Sequence, residues 1–76
     1  MNREDAVSLV REIMASCESF VTAQAVAITM DKETKSYILS VHWAPHPVES
    51  GCLDRILCKY GVEAVTTDGR TVFRSR

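Results

Sequence analysis

The chain has 76 residues, 46% of them hydrophobic and 25% charged, with a formal net charge of -1. That length leaves room for one domain spanning residues 1–76 and for no separate catalytic lobe, and the composition is that of a folded globule rather than a disordered tail, a collagen or a coiled coil. The near-zero charge excludes the strongly basic balance of a general nucleic-acid or anionic-membrane binder, and a core this thin is commonly completed by a partner, often a second copy.

Residues Met1 to Asp5 are charged and polar, without the apolar segment of a secretory signal behind them. Apolar residues at Ala6, Val10, Ile13, Met14, Cys17 and Val21 then recur at three- and four-residue intervals, with Val7, Leu9 and Phe20 at the margins of the stripe. The spacing predicts an amphipathic helix from about Arg3 to Ser19. Asn2 is its expected N-cap, and Glu4 and Asp5 suit the positive end of its dipole.

From Ala23 the period changes to two. Val26, Ile28 and Met30 alternate with Ala25, Ala27 and Thr29, until Asp31-Lys32-Glu33-Thr34-Lys35 breaks the pattern and predicts a hairpin loop. On the return strand Tyr37, Leu39, Val41 and Trp43 share one face, Ile38, Ser40 and His42 the other, and the larger set is expected inside. The longest apolar run, Ala25 to Ile28, is far short of the ~20 residues that span a bilayer. Together with three cysteines, an odd number at irregular spacing, this points to a cytoplasmic protein.

Ala44-Pro45-His46-Pro47 cannot continue a central strand, because proline has no N–H to donate and restricts the residue before it. A second helix is expected to start either at Pro47 or after Ser50 and to run to Lys59 or Tyr60. Val48, Cys52, Ile56 and Tyr60 form its predicted stripe, flanked by Leu53 and Leu57. Gly61 fits a left-handed helix stop, with Val62 packing behind it. Asp68-Gly69 between two β-rich runs predicts a two-residue type I′ hairpin. That turn sets Thr67 opposite Arg70, Val65 opposite Val72 and Glu63 opposite Arg74 on one face, and Ala64 opposite Phe73 on the other. The predicted class is α+β, order αββαββ: one mostly antiparallel four-stranded sheet with two helices packed on one face.

Little in the chain points to catalysis. Cys17 lies in the apolar stripe, where a thiol acts as a small hydrophobe. Cys52 and Cys58 sit about 240° apart around one helix and cannot share a metal or a disulfide. His42, His46 and Cys52, with Glu49 as a fourth, are the one set of metal-ligand types near each other in sequence, and a Cys52 nucleophile with a histidine base and Asp54 can be drawn from the same stretch. Neither spacing matches a known signature. Of the glycines, Gly61 and Gly69 are explained by a helix stop and a turn, so no phosphate-cradling loop remains. No cofactor and no enzymatic activity is expected.

Two surfaces stand out instead. Arg70, Arg74 and Arg76 gather on the last strand around Val72, a pattern that matches phosphate, although Glu63 opposite Arg74 partly neutralises it and no interleaved aromatics are present. The sheet face away from the helices carries Ala25, Ala27, Thr29, Ile38, Ser40, His42, Val65 and Val72. Such a small, semi-apolar surface with a charged rim suits a protein partner, while a mixed solvated face is the ordinary alternative. The sequence therefore predicts a small protein-binding module, an adaptor, inhibitor or regulator of the size of bacterial and phage accessory proteins, and a homodimer. Its expected contacts are Ile38, His42, Val65, Arg70, Val72 and Arg74. Nucleic-acid binding by the C-terminal hairpin is the first alternative, and a thiol or metal site around His46 and Cys52 the second.

Overall fold

Asn2 begins the first helix by accepting a 2.7 Å hydrogen bond from the Asp5 N–H into its side-chain oxygen, which satisfies one of the helix's free donors. The structure, a computed structural model, describes residues 1–76. Helix α1 spans Arg3–Ser16, three residues shorter than its periodicity predicts. Cys17 adopts an extended conformation, and a short 3₁₀ turn over Glu18–Thr22 follows.

That break changes which residues go inside. Ala6, Leu9, Ile13, Cys17 and Phe20 are buried, whereas Met14 and Val21 are 56% and 66% exposed. The predicted stripe holds Ala6, Ile13 and Cys17 correctly but is rotated by about half a residue, so Leu9 from its margin goes inside and Met14 turns out. Beyond Ser16 the helical period no longer applies, so Phe20 replaces Val21.

Strands β1 (Gln24–Asp31) and β2 (Ser36–His42) form the first hairpin, with Ile28 opposite Leu39 and Met30 opposite Tyr37. The register slips between Gln24 and Ala27, where Ala25 has φ +53°, so the strict alternation expected through Ala25 fails there. Val26, Ile28 and Met30 do lie on the side of buried Leu39, but only Ile28 packs against the core. Val26 and Met30 remain 46% and 52% exposed because β1 is an edge strand that the helices cover incompletely.

Helical structure begins at Pro47, the first of the two predicted starts, and Ser50 is the first residue of α2 rather than its N-cap, since its hydroxyl donates back to the Pro47 carbonyl. Pro47–Glu49 forms one 3₁₀ turn, capped by His46 Nδ1 accepting from the Val48 N–H, and α2 continues from Ser50 to Tyr60. Its buried residues are Leu53, Ile56 and Leu57. Val48 and Cys52 face solvent, which corrects the predicted stripe by about one position. Gly61 closes the helix at φ +63°, ψ +36°, a conformation that would strain a side-chain-bearing residue.

Strands β3 (Val62–Thr67) and β4 (Arg70–Ser75) pair as the Asp68-Gly69 turn dictates, with both turn residues at positive φ. All the predicted pairs are present: Thr67 with Arg70, Val65 with Val72, Glu63 with Arg74 and Ala64 with Phe73. The protein is α+β, with an antiparallel sheet in the order β1-β2-β4-β3, so the second strand of each hairpin is central.

Leu9, Ile13, Cys17 and Phe20 from the first helical segment meet Leu53, Ile56 and Leu57 of α2 over Leu39, Val41, Trp43, Val62 and Phe73. Burying each large side chain contributes about 1.5–3 kcal/mol. The ring of Trp43 stands edge-on to Phe20 at 4.8 Å, and its N–H donates to Ser19 Oγ at 3.2 Å. Ser19 in turn donates from its hydroxyl and its backbone N–H to the Glu49 carboxylate. This chain of bonds holds the turn after α1 against the turn before α2. The one buried polar residue, Thr71, donates to the Trp43 carbonyl at 2.6 Å. No helix is long and apolar enough to cross a membrane.

Candidate functional site

The sheet has one covered face and one open face, and the register fixes what each presents. Across the open face the central row runs Ala27, Ser40, Val72, Val65, one residue from each strand. Thr29 and Ile38 pair beside this row on the first hairpin, as do Glu63 and Arg74 on the second. The β2–β4 register continued by one residue sets Ile38 beside Arg74, and continued the other way sets His42 beside Arg70. Hairpin geometry alone could not supply that juxtaposition, since it depends on which strands meet in the middle.

Ile38, His42, Val65, Arg70, Val72 and Arg74 thus share one face across three strands. His42, Arg70 and Arg74 are exposed, Val65 is 40% exposed, and Ile38 and Val72 are half-buried by their neighbours. Four strands about 4.8 Å apart and three rows about 6.8 Å apart give a surface on the order of 20 Å on a side. Its middle is small and uncharged, apolar except for the Ser40 hydroxyl, and its two borders carry the charge.

Those borders differ. Arg74 Nε donates to Glu63 Oε1 at 2.9 Å, and both side chains are about half exposed, so the pair contributes at most ~1 kcal/mol and is easily rearranged. On the other border Arg70 forms no ion pair, and His42 lies against the β3–β4 turn, its Cε1 3.9 Å from where a Cβ on Gly69 would stand. Arg70 is therefore the more available cation.

Arg76 lies just beyond the end of β4, and its Nε is engaged by the Val62 carbonyl at 3.2 Å. It helps to wall a recess of about 350 Å³ at the end of β2 and β4, together with Ile38, Arg74, Asp31, Ser36 and Ser75. The Met1 amine donates into this recess, to Ser36 Oγ at 2.7 Å and Ser75 Oγ at 2.5 Å. A second, wider depression of about 400 Å³ lies by Glu18, Ser19, His46, Val48 and Glu49, and of its two carboxylates that of Glu49 is committed to Ser19.

The proposed thiol and metal constellation is dispersed. Cys52 Sγ lies 3.8 Å from the Ser16 carbonyl on the helical side, His46 Nδ1 accepts from the Val48 N–H, and His42 is on the open sheet face. No group of three His, Cys, Asp or Glu side chains converges as a metal site would require, which corrects the reading of His42, His46, Cys52 and Glu49 as a ligand set. Burial pushes the Cys17 thiol up to about 11, with the Cys52 thiol and the Glu49 carboxylate adding to the shift. A thiol held protonated in this way is a poor nucleophile.

The Trp43–Ser19–Glu49 relay escaped the sequence reading, since nothing in the spacing of those residues links them. Their dense segment, with both prolines and the sole tryptophan, was the available signal, and it marks a structural joint. The chain matches no known family model, no curated protein and no solved structure, so the geometry of this face is what bears on function.

Proposed function

We propose that this chain is a small, non-enzymatic protein-binding module, an adaptor, inhibitor or regulator acting in the cytoplasm, which docks a protein partner on its open sheet face. The observation that carries the reading is the uninterrupted row Ala27, Ser40, Val72, Val65, bordered on one side by His42 and Arg70 and on the other by Ile38, Arg74 and Glu63. An apolar partner side chain laid over Val72 and Val65 gains by desolvation, while Arg70 and Arg74 orient it through a carboxylate.

Magnitude limits the kind of complex. A face on the order of 400 Å² is about half of the ~800 Å² that each partner contributes to a standard stable interface. The open face therefore suits a transient or bivalent contact, with function exerted by steric occupation of the partner rather than by chemistry.

The test is capture from native lysate by the wild-type chain, with and without nuclease, alongside Val72→Asp and Arg70→Glu. A nuclease-resistant partner that both variants lose supports the reading. Retention by both variants contradicts it. Binding that vanishes with nuclease and falls steeply with salt transfers the role to nucleic acid.

A further inference from the structure

The sequence contains more apolar pattern than the single chain buries, and three of the exposed large side chains, Met14, Val26 and Met30, belong to α1 and β1 on one flank. On α1, at about 100° per residue, Val10 and Met14 lie on the side of the Leu9–Ile13 stripe opposite Glu12. Glu12 faces α2, where it accepts from Lys59 at 2.7 Å. Val10 and Met14 therefore turn away from α2, toward the β1 side of the molecule. There Val26 and Met30 project toward the helical layer yet stay about half exposed.

Strand β1 is an edge guarded only at its ends, by the bulge near Ala25 and by Asp31. It is eight residues long, and no charged residue or proline occurs from Ser19 to Met30. Natural edge strands normally carry lysine, proline or a cover to prevent pairing, and here only the slip near Ala25 interrupts the edge. The other edge, β3, carries Glu63, and the Val62 carbonyl is taken by Arg76.

We propose that β1 pairs antiparallel with β1 of a second copy about a two-fold axis near Ile28, joining two sheets into one of eight strands, with Val10 and Met14 of each α1 closing over the seam. The occupant is a second copy because the edge is self-complementary. About that axis Val26 meets the partner's Met30, and no like charges meet within the paired segment.

The axis is perpendicular to the sheet, so both open faces end on the same side and present one bivalent surface. The contact is separate from the open face, and either can fail without the other.

Analytical ultracentrifugation of the full chain across a concentration series reads this directly. The wild-type chain is expected at twice its 8.5 kDa mass. Val26→Lys with Met14→Lys, both at exposed positions, is expected to weaken the dimer at least 100-fold while Val72→Lys leaves it intact. Hydrogen exchange at the β1 amides should slow as the dimer fills. A wild-type monomer at millimolar concentration, or a dimer abolished by Val72→Lys and indifferent to Val26→Lys with Met14→Lys, would overturn the proposal.

Discussion

Ser40 of β2 lies opposite Val72 of β4, and this one pairing fuses two separately formed hairpins into a continuous surface. Each hairpin has its own turn: a loop closed by an Asp31 carboxylate accepting from the Glu33 N–H, and the Asp68-Gly69 type I′ turn. What neither turn determines is that the second strand of each hairpin is the one that meets its counterpart. That choice puts Val72 at the centre of the open face rather than on its border.

The joint between the hairpins has a polar pin on its covered side. Thr71 is fully buried, donates to the Trp43 carbonyl and lies 2.8 Å from the Thr66 hydroxyl. Thr71→Val keeps the shape and removes the donor, leaving a buried carbonyl unpaired. The expected loss is roughly 1–3 kcal/mol of unfolding free energy. Thr66→Ala, whose partner keeps its other bond, should lose less than about half of that. Urea denaturation of the two variants checks the order.

Thiol chemistry distinguishes the three cysteines. Cys52 and Cys58 are exposed and Cys17 is buried, so a chromogenic disulfide reagent should titrate two thiols in the native protein and the third only on unfolding. Because the folded Cys17 thiol is raised to about 11 from an ordinary value near 9, the folded state holds its proton more tightly than the unfolded chain does. Its contribution to stability is complete below pH 9 and declines as pH rises from there to about 11. Cys17→Ala should remove that alkaline slope, which denaturation curves at pH 8, 9 and 10 would show.

Acid should loosen the helical layer. The Lys59 ammonium, with the Tyr60 hydroxyl beside it, holds the Glu12 carboxyl below its ordinary 4.5, and the Ser19 hydroxyl does the same for Glu49. Both carboxylates are favoured in their charged form by folding, so their contribution is present above pH 4.5 and is lost as pH falls through the lowered folded values. Stability should therefore drop progressively as pH falls below about 4.5. Glu49→Gln should flatten part of that slope, with a change in Trp43 fluorescence because Ser19 connects the two side chains.

Much of this fold is legible in the sequence, and the places where it is not share a cause. Local rules found the Asn2 cap, the Gly61 stop, the Asp68-Gly69 turn and the whole β3–β4 register, because each is decided by backbone preferences within a few residues. The end of α1 was missed because Ser19 is held by Glu49, a residue 30 positions away. Val48, Cys52, Met14 and Val21 were placed inside because apolar character at the right period does not say whether a neighbour is there to cover it.

The face itself was partly legible. Alternation placed Ile38 and His42 together, and the Asp68-Gly69 turn placed Val65, Arg70, Val72 and Arg74 together. Their union required the β2–β4 contact, a long-range pairing with no local sequence signature. The same limit applies to Arg76, whose hydrogen bond to the Val62 carbonyl, 14 residues away, has no local signature.

Position-specific photo-cross-linking in native cells tests the docking claim most directly. A photoreactive residue at Ser40, in the middle of the open face, and the same residue at exposed Arg55 on α2, are compared for a cross-linked protein band. The account predicts a discrete adduct from position 40 that disappears when Val72→Asp is added, and none from position 55. An adduct confined to position 55, or one at position 40 that survives Val72→Asp unchanged, would contradict it.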